Sequence, residues 1–219
     1  MIQSFGWQSV QFLLQGLLWT VGLSVMTFIS GGIFGLIFAI GRSLGPSWVK
    51  ATIAGYIQLV QATPLLILLF LFFYGLSFFG LYFPPFAAAA IALTVYATAF
   101  LADIWRGCIE AIPRTQWEAA DALALSGIQK LRYVILPQAL RIASGPTVGF
   151  MVQIVKNTSV TALIGFVELT RAGQLLNNMT FQPFHVFLTV AAMYFLVCFP
   201  LSWWSEQLKE KKSAGRVAN

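Results

Sequence analysis

The first 41 residues of this chain contain no Asp, Glu, Lys or Arg. From about residue 17 to residue 40 that stretch is an unbroken apolar run. It meets the roughly 20 residues that a helix needs to cross a bilayer. A chain that opens this way has no aqueous way to cover its apolar side chains. The wider composition agrees: 58% of residues are hydrophobic, only 9% are charged, and the mean hydropathy is +0.80. No soluble domain of this size carries such a balance. A secretory leader begins with Lys or Arg, and none is present, so the run reads as a retained span and not a cleaved leader. Gly31 and Gly35 within it form a GxxxG pair, which either permits a close helix contact or arises by chance among 18 glycines.

Further apolar runs follow, and together they predict an all-α, polytopic integral membrane protein with about five transmembrane helices in a single transmembrane domain over residues 1–219. The predicted spans are 17–40, 57–79, 86–104, 142–164 and 184–204. Residues 42–50 read as a short polar loop broken by Gly45-Pro46. Pro64 fits in the first turn of the second span without requiring a kink. Trp105-Arg106 reads as an interfacial anchor, as does Trp203-Trp204. Residues 167–183 read as a polar connector.

Five spans put the termini on opposite sides, and the basic residues choose the sides. Eleven of the 13 Lys and Arg residues fall in the 42–50 loop, the 106–141 block and the tail holding Lys209, Lys211, Lys212 and Arg216. Arg171 lies on the other side and Lys156 within a span. Block 106–141 and the C-terminus are therefore expected in the cytoplasm, with the N-terminus outside. The net charge of +6 is a topology signal and not a sign of nucleic-acid binding.

Within that block, residues 114–140 are the most polar, helix-prone part of the chain. Thr115 and Glu118 match a capping box just after Pro113. Glu118 and Asp121 sit where a helix dipole favours acids. Alanines at 119, 120, 122 and 124 offer a smooth surface to a partner backbone. Ser126-Gly127 should break the helix, and a second short helix should run to Leu136 before Pro137 stops it.

Glu118-Ala119-Ala120, with Leu136-Pro137 closing the block, resembles the EAA loop of bacterial ABC importer permeases. Thr63-Pro64-Leu65-Leu66, Lys156-Asn157-Thr158-Ser159 and Glu168-Leu169 are similar to the polar amino acid branch. The resemblance covers residues 12–205. The sequence departs from the pattern at Gln61-Ala62, at Asn157 where Asp is common, and at Ala124 where glycine is usual, which leaves Gly127 as a candidate for that turn. The resemblance implies two cytoplasmic coupling helices between spans three and four that dock on an ATPase subunit, present in two copies. Glu118, Ala119, Ala120, Asp121, Ala124 and Gly127 are the candidate coupling residues. It further implies a second permease subunit, identical or related, an external substrate-binding protein and residence in the bacterial inner membrane.

Lys156 costs about 2.5–3.5 kcal/mol at a helix centre on insertion scales, so it should face a polar interior or a partner, or else snorkel to an interface. Together with Asn157, Thr158, Ser159 and Thr161 it forms a candidate substrate path. Glu168 and Arg171 read either as an exposed salt bridge on a short outer helix or as an outer gate or binding-protein contact. With Cys108, Cys198 and the single His185 far apart in sequence, neither a metal site, a disulfide framework nor a catalytic triad is expected. No GxxxxGK[ST] segment occurs, so the chain holds no nucleotide cofactor of its own and ATP hydrolysis is assigned to a partner. The function expected is therefore a transport subunit, not an enzyme. The competing reading is a self-sufficient channel or ion-coupled carrier, although five spans do not divide into two repeats.

Overall fold

The computed structural model of the protein describes residues 5–217, with side chains to residue 209. Lys211, Lys212 and Arg216 of the basic tail lie outside the described side chains, and the first four residues lie outside altogether. Among the described residues every regular element is a helix: α1 (Trp7–Leu44), α2 (Ser47–Ala62), α3 (Leu65–Phe78), α4 (Pro85–Glu110), α5 (Arg114–Ala122), α6 (Gly127–Ile164), α7 (Leu169–Thr180) and α8 (Pro183–Val217). Helices α1, α4, α6 and α8 are each long and apolar enough to cross a membrane.

The second span differs from its expected form. Residues 57–62 finish α2, Pro64 caps α3, and the two helices are bent by 102° at the break. A proline has no N–H to donate and disfavours helix in the residue before it, and Thr63 accordingly takes an extended backbone. The pair α2–α3 is thus a broken span or a re-entrant loop. The polar loop 42–50 likewise shrinks to Gly45-Pro46, because Arg42 ends in α1 and Lys50 starts in α2.

Small residues set the central helix contact. A Cβ on Gly31 would lie 2.6 Å from the Cβ of Ala97, and one on Gly35 would lie 3.0 Å from that of Leu101. The GxxxG pair is therefore a close seam between α1 and α4, not a chance pair. At the other end of α1, Gly16 meets Ala172 of α7 in the same way. Leu13, Leu169, Leu176, Val186 and Val190 close that end into one apolar cluster. Outward faces stay apolar, with Ile29, Ile33, Phe34 and Ile37 of α1 bare. Such a stripe is costly in water and suits the apolar interior of a membrane.

Helix α6 runs through the positions expected to end it. A wide π turn at Leu131–Ile135 precedes Pro137, which then falls in the first turn of the next helical stretch. The wider turn makes room for the ring and absorbs the missing N–H, so the helix continues. The stretch expected to be an isolated second coupling helix is thereby fused to span four. Trp105, expected as an interfacial anchor, donates its indole N–H to Thr147 of α6 at 2.9 Å.

Candidate coupling surface and solute path

The polar block rests on a small core of Ile109, Ile112, Leu131, Ile135 and Ala139, with Trp117 packed against it. Above that core α5 and the start of α6 form a two-helix tip. Helix α5 has Pro113 at its N-cap and receives no side-chain cap, so the Thr115–Glu118 capping box does not form. Thr115 already lies inside the helix, where its hydroxyl has no free N–H two or three residues on. The box forms at the start of α6 instead: Ser126 accepts from Gln129 N–H, and the Gln129 side chain accepts from Ser126 N–H at 2.9 Å. Asp121 binds the ammonium of Lys130, tying the two helices together.

Ala124 itself takes the left-handed turn, with φ +52°. Its N–H bonds Asp121 O at 2.8 Å and the next N–H bonds Ala120 O at 3.2 Å, which closes α5. Gly127 is the first residue of α6 and does not take over the turn. An L-residue in this conformation costs roughly 1–2 kcal/mol, which explains why glycine suits the position better. Glu118, Ala119, Asp121, Ala124 and Gly127 are exposed, whereas Ala120 is buried. Ala120 packs inside the chain and offers no surface to a partner.

Two residues outside the expected set stand out at this tip. Leu123 is 73% exposed and Ile128 is 74% exposed, either side of the Ala124 turn. Their exposure at the α5–α6 turn makes them candidates for a contact with a partner. Residue type alone did not single them out, because Leu125, Leu131, Val134, Ile135 and Leu136 share the block.

On α6 the polar run divides in two. Thr158 and Thr161 are buried, and their hydroxyls donate to Val155 O and Thr158 O of their own helix. Lys156 is exposed, and Asn157 and Ser159 are half-buried. The tight 3-10 turn Thr158–Ile164 is what turns the threonines inward. The exposed face continues down the helix through Gln153, whose amide donates to Asn157 Oδ1 at 3.0 Å. The Asn157 amide nitrogen is buried without a partner. No carboxylate pairs with Lys156 among the described residues. Gln153, Lys156 and Asn157 share one face by their spacing of three and four.

Glu168 is fully buried and so forms no exposed salt bridge. Its carboxylate caps α7, accepting from the N–H groups of Thr170 and Arg171, both at 2.9 Å. It also accepts from Tyr194 of α8 at 2.8 Å and from Thr20 of α1 at 3.4 Å. Burial pushes this carboxyl above the usual carboxylate range, while those donors pull it back. Arg171 turns away and donates to Gln174 at 3.1 Å. The expected polar connector is in fact helix α7, and the signal for it was Leu169, Ala172, Gly173 and Leu176 at helical spacing.

Known proteins share this plan along nearly the whole chain. It is 30% identical to the glutamine transport system permease protein GlnP of Escherichia coli strain K12, over 94% of each chain. It is 31% identical to the L-cystine transport system permease protein TcyB of Bacillus subtilis strain 168, over 85% of this chain and 80% of that one. A crystal structure of an amino acid ABC transporter with histidines superposes with a TM-score of 0.87 at 28% identity, covering 95% of this chain and 100% of the other. Residues 31–213, from the α1–α4 seam through the α5–α6 tip and into α8, match the description "binding-protein-dependent transport system inner membrane component". This membrane-embedded chain belongs to that family.

Proposed function

We propose that the chain is the membrane-spanning permease subunit of an ATP-driven importer, passing a polar amino acid handed over by an external binding protein. The observation that carries this reading is the projecting α5–α6 tip, with Leu123 and Ile128 bare on a rigid polar mount. Fully burying one such side chain contributes about 1.5–3 kcal/mol. A pair of them held by the Ser126 cap and the Asp121–Lys130 bridge suits a socket on a separate ATPase subunit. Exposed Glu118, Ala119, Asp121, Ala124 and Gly127 border that contact, and Ala120 supports it from within.

The solute path runs along the face of α6 that holds Gln153, Lys156, Asn157 and Ser159, between this chain and a second permease subunit, identical or related. An unpaired ammonium and an unpartnered amide nitrogen on that face suit the carboxylate of an amino acid. Buried Thr158 and Thr161 shape the turn that presents it. On the outer side Glu168 fixes α7, and Arg171 and the rest of α7 serve as outer gate or binding-protein contact. The basic residues put the tip and the C-terminus in the cytoplasm and the N-terminus outside, in a bacterial plasma membrane. ATP binds two copies of the partner subunit and not this chain.

Purification with native associates in mild detergent tests this reading. A nucleotide-hydrolysing subunit is expected to accompany the chain. A chain that comes alone, yet passes amino acids down their gradient in vesicles, contradicts it.

A further inference from the structure

At the end of α1 opposite α7, a cavity of about 300 Å³ is lined by Arg42, Ser43, Lys50, Ile109, Glu110 and Trp117. Two of these side chains are cations, and neither forms an ion pair among the described residues. The one acid, Glu110, is already held by Arg106, which also binds Asp103 at 2.9 Å. The cavity therefore carries uncompensated positive charge. Its depth is fixed by sequence, because Arg42 lies two residues past Ile40, where the apolar run of α1 ends. Between Ser43 and Lys50 in the chain, Leu44 is 38% exposed and Trp48 is 72% exposed. An exposed tryptophan at the end of an apolar span sits at headgroup level.

We propose that this cavity holds the headgroup of an anionic phospholipid of the cytoplasmic leaflet. The guanidinium of Arg42 and the ammonium of Lys50 take the phosphodiester oxygens, the arginine offering a two-pronged donor. Ser43 Oγ, which gives its proton to Ala39 O, keeps lone pairs for a headgroup hydroxyl. Ile109 and Trp117 form an apolar wall for the glycerol end. Basic pockets between membrane helices on the cytoplasmic side favour such lipids. The space admits one headgroup and no helix or strand of a protein. Trp117 belongs to α5, so a lipid seated here touches α1, α2 and the coupling tip together. The leaflet named rests on the orientation proposed above.

The test uses the assembled transporter in vesicles of phosphatidylcholine mixed with phosphatidylglycerol, followed by mild extraction and native mass spectrometry of retained lipid. Wild type is expected to retain phosphatidylglycerol preferentially. Arg42→Gln with Lys50→Gln should cut that preference roughly twenty- to thirty-fold, the product of about fivefold for each cation near an anionic surface. Arg132→Gln with Arg141→Gln, which removes the same charge elsewhere, should leave it unchanged. If the double variant fails to assemble, Lys50→Gln alone should still give the single fivefold loss. No preference in wild type, or an undiminished one in the variant, overturns the proposal. Release by added glycerol 3-phosphate means a soluble anion is the occupant and also overturns it. Loss of the ATPase from the variant without any change in lipid marks a protein contact instead and overturns it as well. Labelling of Ser47→Cys, an exposed position outside the cavity lining, by an impermeant thiol reagent in sealed vesicles fixes the leaflet separately. Labelling of that variant from the outside, beside an intact lipid preference, keeps the site and refutes only the orientation.

Discussion

Replacing Glu168 by alanine should be among the most damaging single changes in the chain, and the structure sets its size. The carboxylate caps α7 through two N–H bonds of 2.9 Å, and losing such a cap costs about 1 kcal/mol. The substitution also removes the 2.8 Å acceptor of half-buried Tyr194, leaving its hydroxyl the 2.9 Å bond with Thr170 Oγ1, a loss of about 1.5 kcal/mol. Desolvating the carboxylate offsets part of this in the wild type. The net expected loss is about 2 kcal/mol for Glu168→Ala and about 1 kcal/mol for Tyr194→Phe, whose ring stays packed. Because both remove the same bond, the double variant should fall short of the sum by about 1 kcal/mol. Reversible unfolding of the purified chain in mixed micelles, titrated with SDS, measures all three. Strict additivity, or a Glu168→Ala loss below about 1 kcal/mol, refutes the idea that this carboxylate locks α7 to α1 and α8.

Two further expectations concern coupling and the path. Leu123→Ser with Ile128→Ser should weaken capture of the ATPase subunit by at least about tenfold in a pull-down while insertion into the membrane is unchanged, since each apolar side chain contributes about 1.5–3 kcal/mol when buried. Asn157→Ala and Ser159→Ala should shift apparent affinity, or the choice among amino acids, in an uptake assay with assembly and basal ATPase rate preserved. An equal loss for every substrate together with poor assembly would make the run a scaffold.

Hydropathy and charge made much of this architecture legible. The charge-free start announced α1, and apolar runs announced α4, α6 and α8, although the helices extend beyond the runs at one or both ends. Proline marked boundaries well at Pro46 and Pro113 but misled at Pro137, because a π turn over Leu131–Ile135 absorbs it. Nothing in residue spacing signals a widened turn. The 102° bend at Thr63-Pro64 was likewise hidden, since a helix may keep a proline in its first turn whether or not the preceding helix is collinear. At the site, which face a residue occupies decided matters. Ala119 and Ala120 are equivalent by composition, yet one is exposed and the other buried. Thr158 and Lys156 belong to one polar run, yet the 3-10 turn sends the threonine inward. Glu168 read as a surface charge because its partners, Thr20 and Tyr194, are 148 and 26 residues away.

The most direct measurement is amino acid uptake by the purified permease, reconstituted in sealed vesicles with the ATPase that accompanies it. Accumulation against a gradient should require both ATP on the side of the α5–α6 tip and a soluble binding protein on the opposite side. It should vanish when Leu123 and Ile128 are both replaced by serine, although the vesicles stay sealed. Uptake that proceeds without ATP, or that survives loss of the apolar tip at full rate, contradicts the account of this chain as a permease driven through that tip.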